Sequence, residues 1–275
     1  MRQTLLGLFT SKFLMPFHRS KFIPDYLCVL VENIFAILRG KDVRFLIEKD
    51  GSFFAKESGR TLKISNRFRG FWLYRNGIEA REDFIFKSYC LENITFKKDD
   101  IVFDCGANSG DLFLRLSNLI DANNYYAFEP NPEDFTVLKF NTVCAENLFN
   151  LALGNVDSEQ IFYTATDLGD SSLIEPRIWN NKQIVKVVRL DSFIAKRKIE
   201  SIKLLKLEAE GFEPEILEGL GNTIQRCEYI ALDGAYERGR DCEQTFTSCT
   251  NYLLSNGFEI IDIYFPWYRA LYKRK

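Results

Sequence analysis

The chain has a single histidine, His18, among 275 residues, and that scarcity excludes the multi-histidine centres that hold zinc, copper and non-haem iron. A histidine base would require the N-terminal region to fold over the site, so carboxylates or lysine are the expected proton-handling groups. The seven cysteines (Cys28, Cys90, Cys105, Cys144, Cys227, Cys242, Cys249) are odd in number and scattered, without C-x-x-C or zinc-like spacing. They read as reduced thiols, as expected of a cytoplasmic protein. An excess of one charge is missing too. Lys+Arg of 36 against Asp+Glu of 38 leaves −2, so no global positive field exists to hold a polyanion, and no nucleic-acid partner is expected. The chain also lacks an uninterrupted apolar run. Residues 22–38 are the most apolar N-terminal stretch, but Asp25, Glu32 and Asn33 break it, whereas a spanning helix needs about 20 largely uncharged residues. A signal peptide would carry a small-residue cleavage site, which does not fit either.

What is present is enough apolar material, 46% of residues, for one substantial domain plus an extension. Leu27, Leu30, Val31, Ile34, Phe35 and Leu38 recur at helical spacing and mark one apolar face, expected to pack on its own domain. Because Lys12, His18, Arg19 and Lys21 precede it, weak peripheral membrane contact is the alternative. Strands are expected at 43–47, from Phe53, and at 61–64, with a turn at 49–52. Arg67, Phe68, Arg69, Phe71, Trp72, Tyr74 and Arg75 then fall in a small β-rich region. A helix is expected over 79–91 with Phe84, Ile85, Tyr89 and Leu91 on its buried side. From residue 101 short apolar strands alternate with helical stretches, the form of a parallel sheet with crossover helices. The strands are 101–104, 125–129, 148–153, 185–189, 204–207, 229–233 and 258–264, with an eighth at 267–272. Of these, 185–189 reads as an edge or insertion strand, and the last two should pair antiparallel. The expected fold is α/β, a Rossmann-like open sheet with an antiparallel C-terminal strand over 96–275, plus a small N-terminal α+β extension over 1–95 that caps the acceptor side.

The first strand ends in Asp104, and Gly106 and Gly110 bracket a turn before a helix with Leu112, Phe113, Leu116 and Ile120. Strand, glycine turn and helix together make a nucleotide-cofactor loop, because glycine admits close backbone approach and the helix start presents unpaired N–H groups. The dinucleotide fingerprint needs a third glycine, absent here, and Asp111 sits where a pyrophosphate would approach. An acid repels that dianion but tolerates a zwitterionic or cationic ligand such as S-adenosylmethionine. The second strand ends in Glu129, at the separation where an acid accepts from ribose hydroxyls.

The motifs V-F-D-C-G-A-N-S-G at 102–110, A-F-E-P-N-P at 127–132, G-D-S-S-L at 169–173, L-D-S-F at 190–193 and K-L-E-A-E-G-F-E at 206–213 resemble, in sequence and order, the FkbM family of methyltransferases. They span roughly half the chain; residues before about 99 are much less diagnostic. The resemblance implies a class I methyltransferase fold and methyl transfer, usually to a hydroxyl oxygen. It also implies that Asp104, Gly106, Ala107, Asn108 and Gly110 line S-adenosylmethionine while Glu129 takes its ribose. The family commonly carries aspartate where this chain has Glu208, a longer side chain with the same charge.

Leu204, Lys206, Glu208 and Glu210 alternate, so they share one face of an extended chain. Burying these ionisable groups unpaired costs several kcal/mol, which puts them at the strand's open C-terminal end beside the cofactor. Lys206, Glu208, Glu210 and Asp233 are therefore the candidate catalytic residues. Glu208 can hold the methionine ammonium with Glu210 nearer the acceptor, or Lys206 and Glu210 can form a plain salt bridge. Glu208, Glu210 and Asp233 can also supply oxygens to a hard cation, for which nothing else in the sequence speaks, so no metal is assigned. The acceptor is expected to be a small molecule or glycan, met by the arginines and aromatics at 67–75 and 233–240. The alternatives are a nicotinamide-dependent oxidoreductase and an inactive methyltransferase-fold binding protein.

Overall fold

The computed structural model describes residue 14 and residues 16–20, 22–165 and 171–275. The chain forms two compact units, Met1–Arg81 and Glu82–Lys275.

In the first unit a helix, α1 (Asp25–Leu38), is followed by an antiparallel meander of β1 (Arg44–Ile47), β2 (Phe53–Glu57) and β3 (Arg60–Ile64). The turn at 49–52 forms as expected. The Asp50 carboxylate accepts from the Ser52 N–H at 2.9 Å, and Gly51 takes a φ of 85°. The cluster at 67–75 differs from expectation: it is helical, α2 (Arg67–Tyr74), because Asn66 caps it by accepting from the Arg69 N–H at 2.8 Å. Phe71 on α2 packs with Phe45 and Phe53 of the meander at 4.8 and 6.0 Å between ring centres. The apolar stripe of α1 is also placed differently. Cys28, Val29, Glu32 and Ala36 are buried, whereas Leu30, Ile34 and Leu38 face solvent. Periodicity found the stripe, but polar anchors chose the inward side. Glu32 is buried with His18 and Arg39 at 3.1 and 2.6 Å, and the Asn33 amide bonds both the N–H and the carbonyl of Phe45. Arg67 is equally engaged, donating to Asp25 and to the carbonyls of His18, Ser20 and Ile23.

The second unit begins within α3 (Ile78–Ser88), so residues 82–95, expected with the extension, pack here instead. Ile85, Phe86, Tyr89, Leu91 and Ile94 join the core beneath the sheet. That sheet has seven strands. Its strands are β4 (Val102–Cys105), β5 (Tyr125–Phe128), β6 (Asn147–Phe149), β10 (Ile202–Leu207), β11 (Cys227–Asp233), β14 (Phe258–Tyr264) and β15 (Arg269–Arg274). Their spatial order is β14-β15-β11-β10-β4-β5-β6, parallel from β11 to β6, with β15 antiparallel between β11 and β14. This is the open α/β sheet with an antiparallel C-terminal strand read from the sequence. Phe103, Leu205, Leu207 and Ile230 pack on one face and Val102, Leu204, Ala127 and Ala231 on the other, which is why the strands read as continuous apolar runs.

The strand expected at 148–153 is two strands in two sheets. The chain turns at Asn150, whose amide donates to the carbonyls of Glu129 and Pro130 at 2.8 and 3.1 Å. It leaves β6 and continues as β7 (Ala152–Gly154). With β8 (Ser158–Thr164) and β9 (Asn181–Arg189), β7 makes a separate sheet ordered β7-β9-β8. The insertion strand expected at 185–189 is part of β9, and two short strands, β12 (Tyr236–Arg238) and β13 (Glu243–Gln244), pair antiparallel after β11. Gly169 and Asp170 of the G-D-S-S-L motif lie outside the described residues.

Helices α4 (Asp111–Leu116), α5 (Pro132–Asn141), α6 (Leu190–Arg197) and α7 (Glu213–Leu220) cross between strands. Gly219 on α7 rests against β7, where an added Cβ would lie 2.0 Å from the Gly154 carbonyl oxygen. Helix propensity alone predicts that Gly219→Ala stabilises by about 1 kcal/mol. The backbone collision should reverse the sign, and urea denaturation should show a loss of roughly 1–3 kcal/mol.

Candidate active site

The C-terminal ends of β4, β5, β10 and β11 meet at one edge of the sheet. Gly106 follows β4 with φ of 72°, and a Cβ there would sit 2.0 Å from the Glu208 carbonyl oxygen, so only glycine lets the loop pass this close. The Gly106 and Ala107 N–H groups donate to the Phe128 carbonyl at 3.0 and 3.1 Å. Asn108 and Gly110 are left-handed, with φ of 49° and 86°. The loop curls round Glu129, whose carboxylate accepts from the N–H groups of Asn108 and Asn131, each at 2.8 Å.

Strand register decides the charged cluster. Lys206 lies opposite Asp104 on one side and Ala231 on the other, and neighbours in register point to the same face. The buried Lys206 ammonium is 3.1 Å from Asp104, 2.7 Å from Glu208, and donates to the carbonyls of Gly106 and Cys105 at 2.7 and 3.3 Å. Tyr125 donates to the other Asp104 oxygen. Arg269 on β15 pairs in register with Asp233 and bonds it through Nε at 2.5 Å. Its two other nitrogens reach Ser88 at 2.7 Å and Glu208 at 3.1 Å, with the Tyr89 ring 4.2 Å beneath the guanidinium.

The alternative of a plain Lys206–Glu210 salt bridge does not form; Lys206 pairs with Asp104 and Glu208. Lys206, Glu208 and Asp233 come together; Glu210 stands apart at the turn after β10, with φ of 50° and its carbonyl accepting from Ser172 at 2.8 Å. The Glu210 carboxyl instead interacts with Glu237. Burial works against the charge on Lys206, but Asp104 and Glu208 outweigh it and hold the ammonium firmly protonated. Burial likewise opposes ionisation of Glu208, and Lys206 with Arg269 overcomes it, keeping this carboxyl far below the usual carboxylate range. Asp233 ends above its ordinary value because burial exceeds the help from Arg269. Burial, and then the negative Asp233 and Glu208, push Glu237 up to about 8.

The Methyltransferase FkbM domain matches residues 104–260, more than half of the chain. The chain belongs to the FkbM methyltransferase family. Hexuronic acid methyltransferase AglP of Haloferax volcanii is 24% identical over 139 residues, covering 50% of this chain and 56% of that protein. The 31-O-demethyl-FK506 methyltransferase FkbM of Streptomyces tacrolimicus is 26% identical, covering 59% and 73%. The 2-O-methyltransferase NoeI of Sinorhizobium fredii is 21% identical, covering 63% and 78%. The match to AglP thus spans little more than half of that protein's length.

The FkbM family uses S-adenosylmethionine, and the loop fits it. Gly106 lets the loop pass close against the Glu208 carbonyl, and Glu129 follows the end of β5. A carboxylate accepts about four hydrogen bonds, so the two backbone N–H groups on Glu129 are compatible with ribose hydroxyls. Asp104, by contrast, is buried under Lys206 and Tyr125, and it shapes the loop from below.

Sequence reasoning missed three groups. Arg269 was legible only as part of a terminal strand; the signal was Asp233, an acid ending a buried strand and needing a cation in register beside it. Glu237 was seen only as part of a polar loop. Glu213 is buried at 1% exposure; it accepts from the N–H groups of Ala209 and Gly211 at 2.8 and 3.1 Å and from the Thr245 hydroxyl at 2.8 Å. It thereby fixes the turn that carries Glu210. Burial raises Glu213 to about 7 against those three donors.

Arg269→Met should cost about 3–5 kcal/mol near neutral pH, since it leaves buried carboxylates without their cation. That deficit should shrink as pH falls and Asp233 takes up a proton; denaturant unfolding at several pH values measures it. For Glu213 the folded pKa lies above the unfolded one. Its contribution is full below the unfolded value near 4.5 and is lost as pH rises through about 7. Melting curves from pH 5 to 8 should therefore fall more steeply for the wild type than for Glu213→Gln.

Proposed function

We propose that the chain O-methylates a hydroxyl on a sugar, glycan or related metabolite, with Glu210 and Glu237 handling the hydroxyl proton. The observation that carries this reading is the turn after β10, which holds Glu210 at φ of 50° beside Glu237, a carboxyl that burial pushes up to about 8. A carboxyl titrating near neutrality is suited to proton transfer. When bound, S-adenosylmethionine supplies an electrophilic methyl on a sulfonium. The site would hold the acceptor hydroxyl against that methyl, and much of the rate gain would come from this positioning. Glu210 and Glu237 would take up the acceptor hydroxyl proton, on whichever of the two carboxyls is ionised. Lys206, Glu208, Asp233 and Arg269 hold the geometry.

The lining favours a neutral acceptor over an anionic one. Glu210 and Glu237 lie together, Glu208 and Asp233 are matched by Lys206 and Arg269, and Arg238 and Arg240 are paired with Glu215 and Glu175 at 2.6 and 2.5 Å. The partly exposed rings of Tyr236, which precedes Glu237, and Tyr268, which precedes Arg269, are 5.2 Å apart and suit the faces of a sugar. The names of the relatives, a hexuronic acid methyltransferase and a 2-O-methyltransferase among them, support an oxygen acceptor. Seven free thiols, five of them buried, support a cytoplasmic location.

Labelled S-adenosylmethionine incubated with a glycan panel, with the methyl located by mass spectrometry, tests this. Glu210→Gln should lower kcat by roughly 10²–10⁴ with cofactor affinity nearly unchanged, and Glu129→Ala should weaken cofactor binding in calorimetry. Methyl found only on nitrogen or carbon, or wild-type turnover in Glu210→Gln, overturns the reading.

A further inference from the structure

Helix α1 is built inside out. Its only charged residues, Asp25 and Glu32, are tied into ion pairs with Arg67 and with His18 and Arg39. Its outer side is wholly apolar apart from the Tyr26 hydroxyl: Tyr26, Leu30, Ile34, Ile37 and Leu38 are 68%, 54%, 47%, 58% and 61% exposed. Spaced at i, i+4, i+8, i+11 and i+12, they form one stripe along a 14-residue helix, about 21 Å long. Just before the helix, Phe22 is almost fully exposed. Leaving this much hydrocarbon in water in one strip is unfavourable by roughly 1–2 kcal/mol per side chain relative to burial.

The ends of the stripe name the partner. At the N-terminal end stands Arg19, exposed and stacked 4.4 Å over Phe68. At the C-terminal end Arg39 donates to the Arg75 carbonyl at 3.2 Å, and the Arg75 guanidinium lies 4.8 Å over the half-exposed Trp72 ring. Cations and amphipathic aromatics at both ends of an apolar stripe, with no carboxylate left unpaired on the helix, match the interface of a bilayer. Hydrocarbon lies below that plane and anionic headgroups lie beside it. We propose that the outer face of α1 lies in the surface of an anionic phospholipid bilayer, with Arg19 and Arg75 against the headgroups. This docking holds independently of the acceptor assigned above.

The test is flotation of the full chain with phosphatidylcholine vesicles containing about a third phosphatidylglycerol. The wild type should float with them, less so with pure phosphatidylcholine and less as salt rises. The double variant Leu30→Glu with Ile34→Glu should lose binding by roughly tenfold or more, while retaining its circular dichroism and its affinity for S-adenosylmethionine. Ile184→Glu, equally exposed at 67% but on β9, should bind like the wild type. Three results overturn the proposal. The first is no flotation of the wild type. The second is concentration-dependent dimerisation in sedimentation velocity that the double variant abolishes, without vesicle binding, which assigns the face to a second copy. The third is vesicle binding that appears only when residues 1–13 are deleted, which assigns the face to the chain's own N-terminus.

Discussion

A lysine buried in the middle of a sheet governs the rest of this site. Lys206 is 4% exposed and in register with Asp104, and an ammonium there survives only with carboxylates against it. Asp104 and Glu208 supply them. The same ammonium reaches over the Gly106 and Cys105 carbonyls, so the charge that satisfies the strand end also fixes the cofactor loop. Arg269 then becomes necessary, because Asp233 ends the neighbouring strand on the same edge. Two cations, Lys206 and Arg269, face three carboxylates, Asp104, Glu208 and Asp233. Burial, with the nearby Glu208 charge adding to it against Arg269, raises Asp233 above its ordinary value, and burial with Asp233 and Glu208 raises Glu237 as well.

A second anchor shapes the loop that leaves β10. Glu213 collects the N–H groups of Ala209 and Gly211, which bracket Glu210. That arrangement forces Glu210 into the left-handed region at φ of 50°, a conformation that costs a non-glycine residue of order 1 kcal/mol and persists only when its surroundings demand it. The effect is to swing Glu210 out of the ion network its sequence spacing would give it and toward Glu237. One loop thus holds two carboxyls with opposite fates, Glu208 permanently ionised between two cations and Glu210 beside a neighbour that titrates near neutrality.

The first unit obeys the same logic with the opposite outcome. Burying Glu32 with His18 and Arg39 anchors α1 by charge, and the apolar stripe is left outside. A helix that is apolar almost all round gives no preference for which side turns inward, so a few polar anchors decide.

What the sequence determined by itself was local in physical origin. The glycine turn after a strand, the acid ending the next strand, the 49–52 turn, the alternation of strands and helices, and the ordered motifs all follow from backbone sterics and side-chain periodicity within a short window. Those features were enough to give the fold class, the family and the loop at 104–110. Tertiary structure decided which charges meet. That Lys206 pairs with Asp104 and Glu208 rather than with Glu210, that Arg269 stands beside Asp233, that 148–153 divides between two sheets at Asn150, and that α1 turns its hydrocarbon outward each depend on strand register or on partners distant in sequence. An ion pair is worth most where water is excluded, and which residues share a dry position is settled only when the strands are laid side by side.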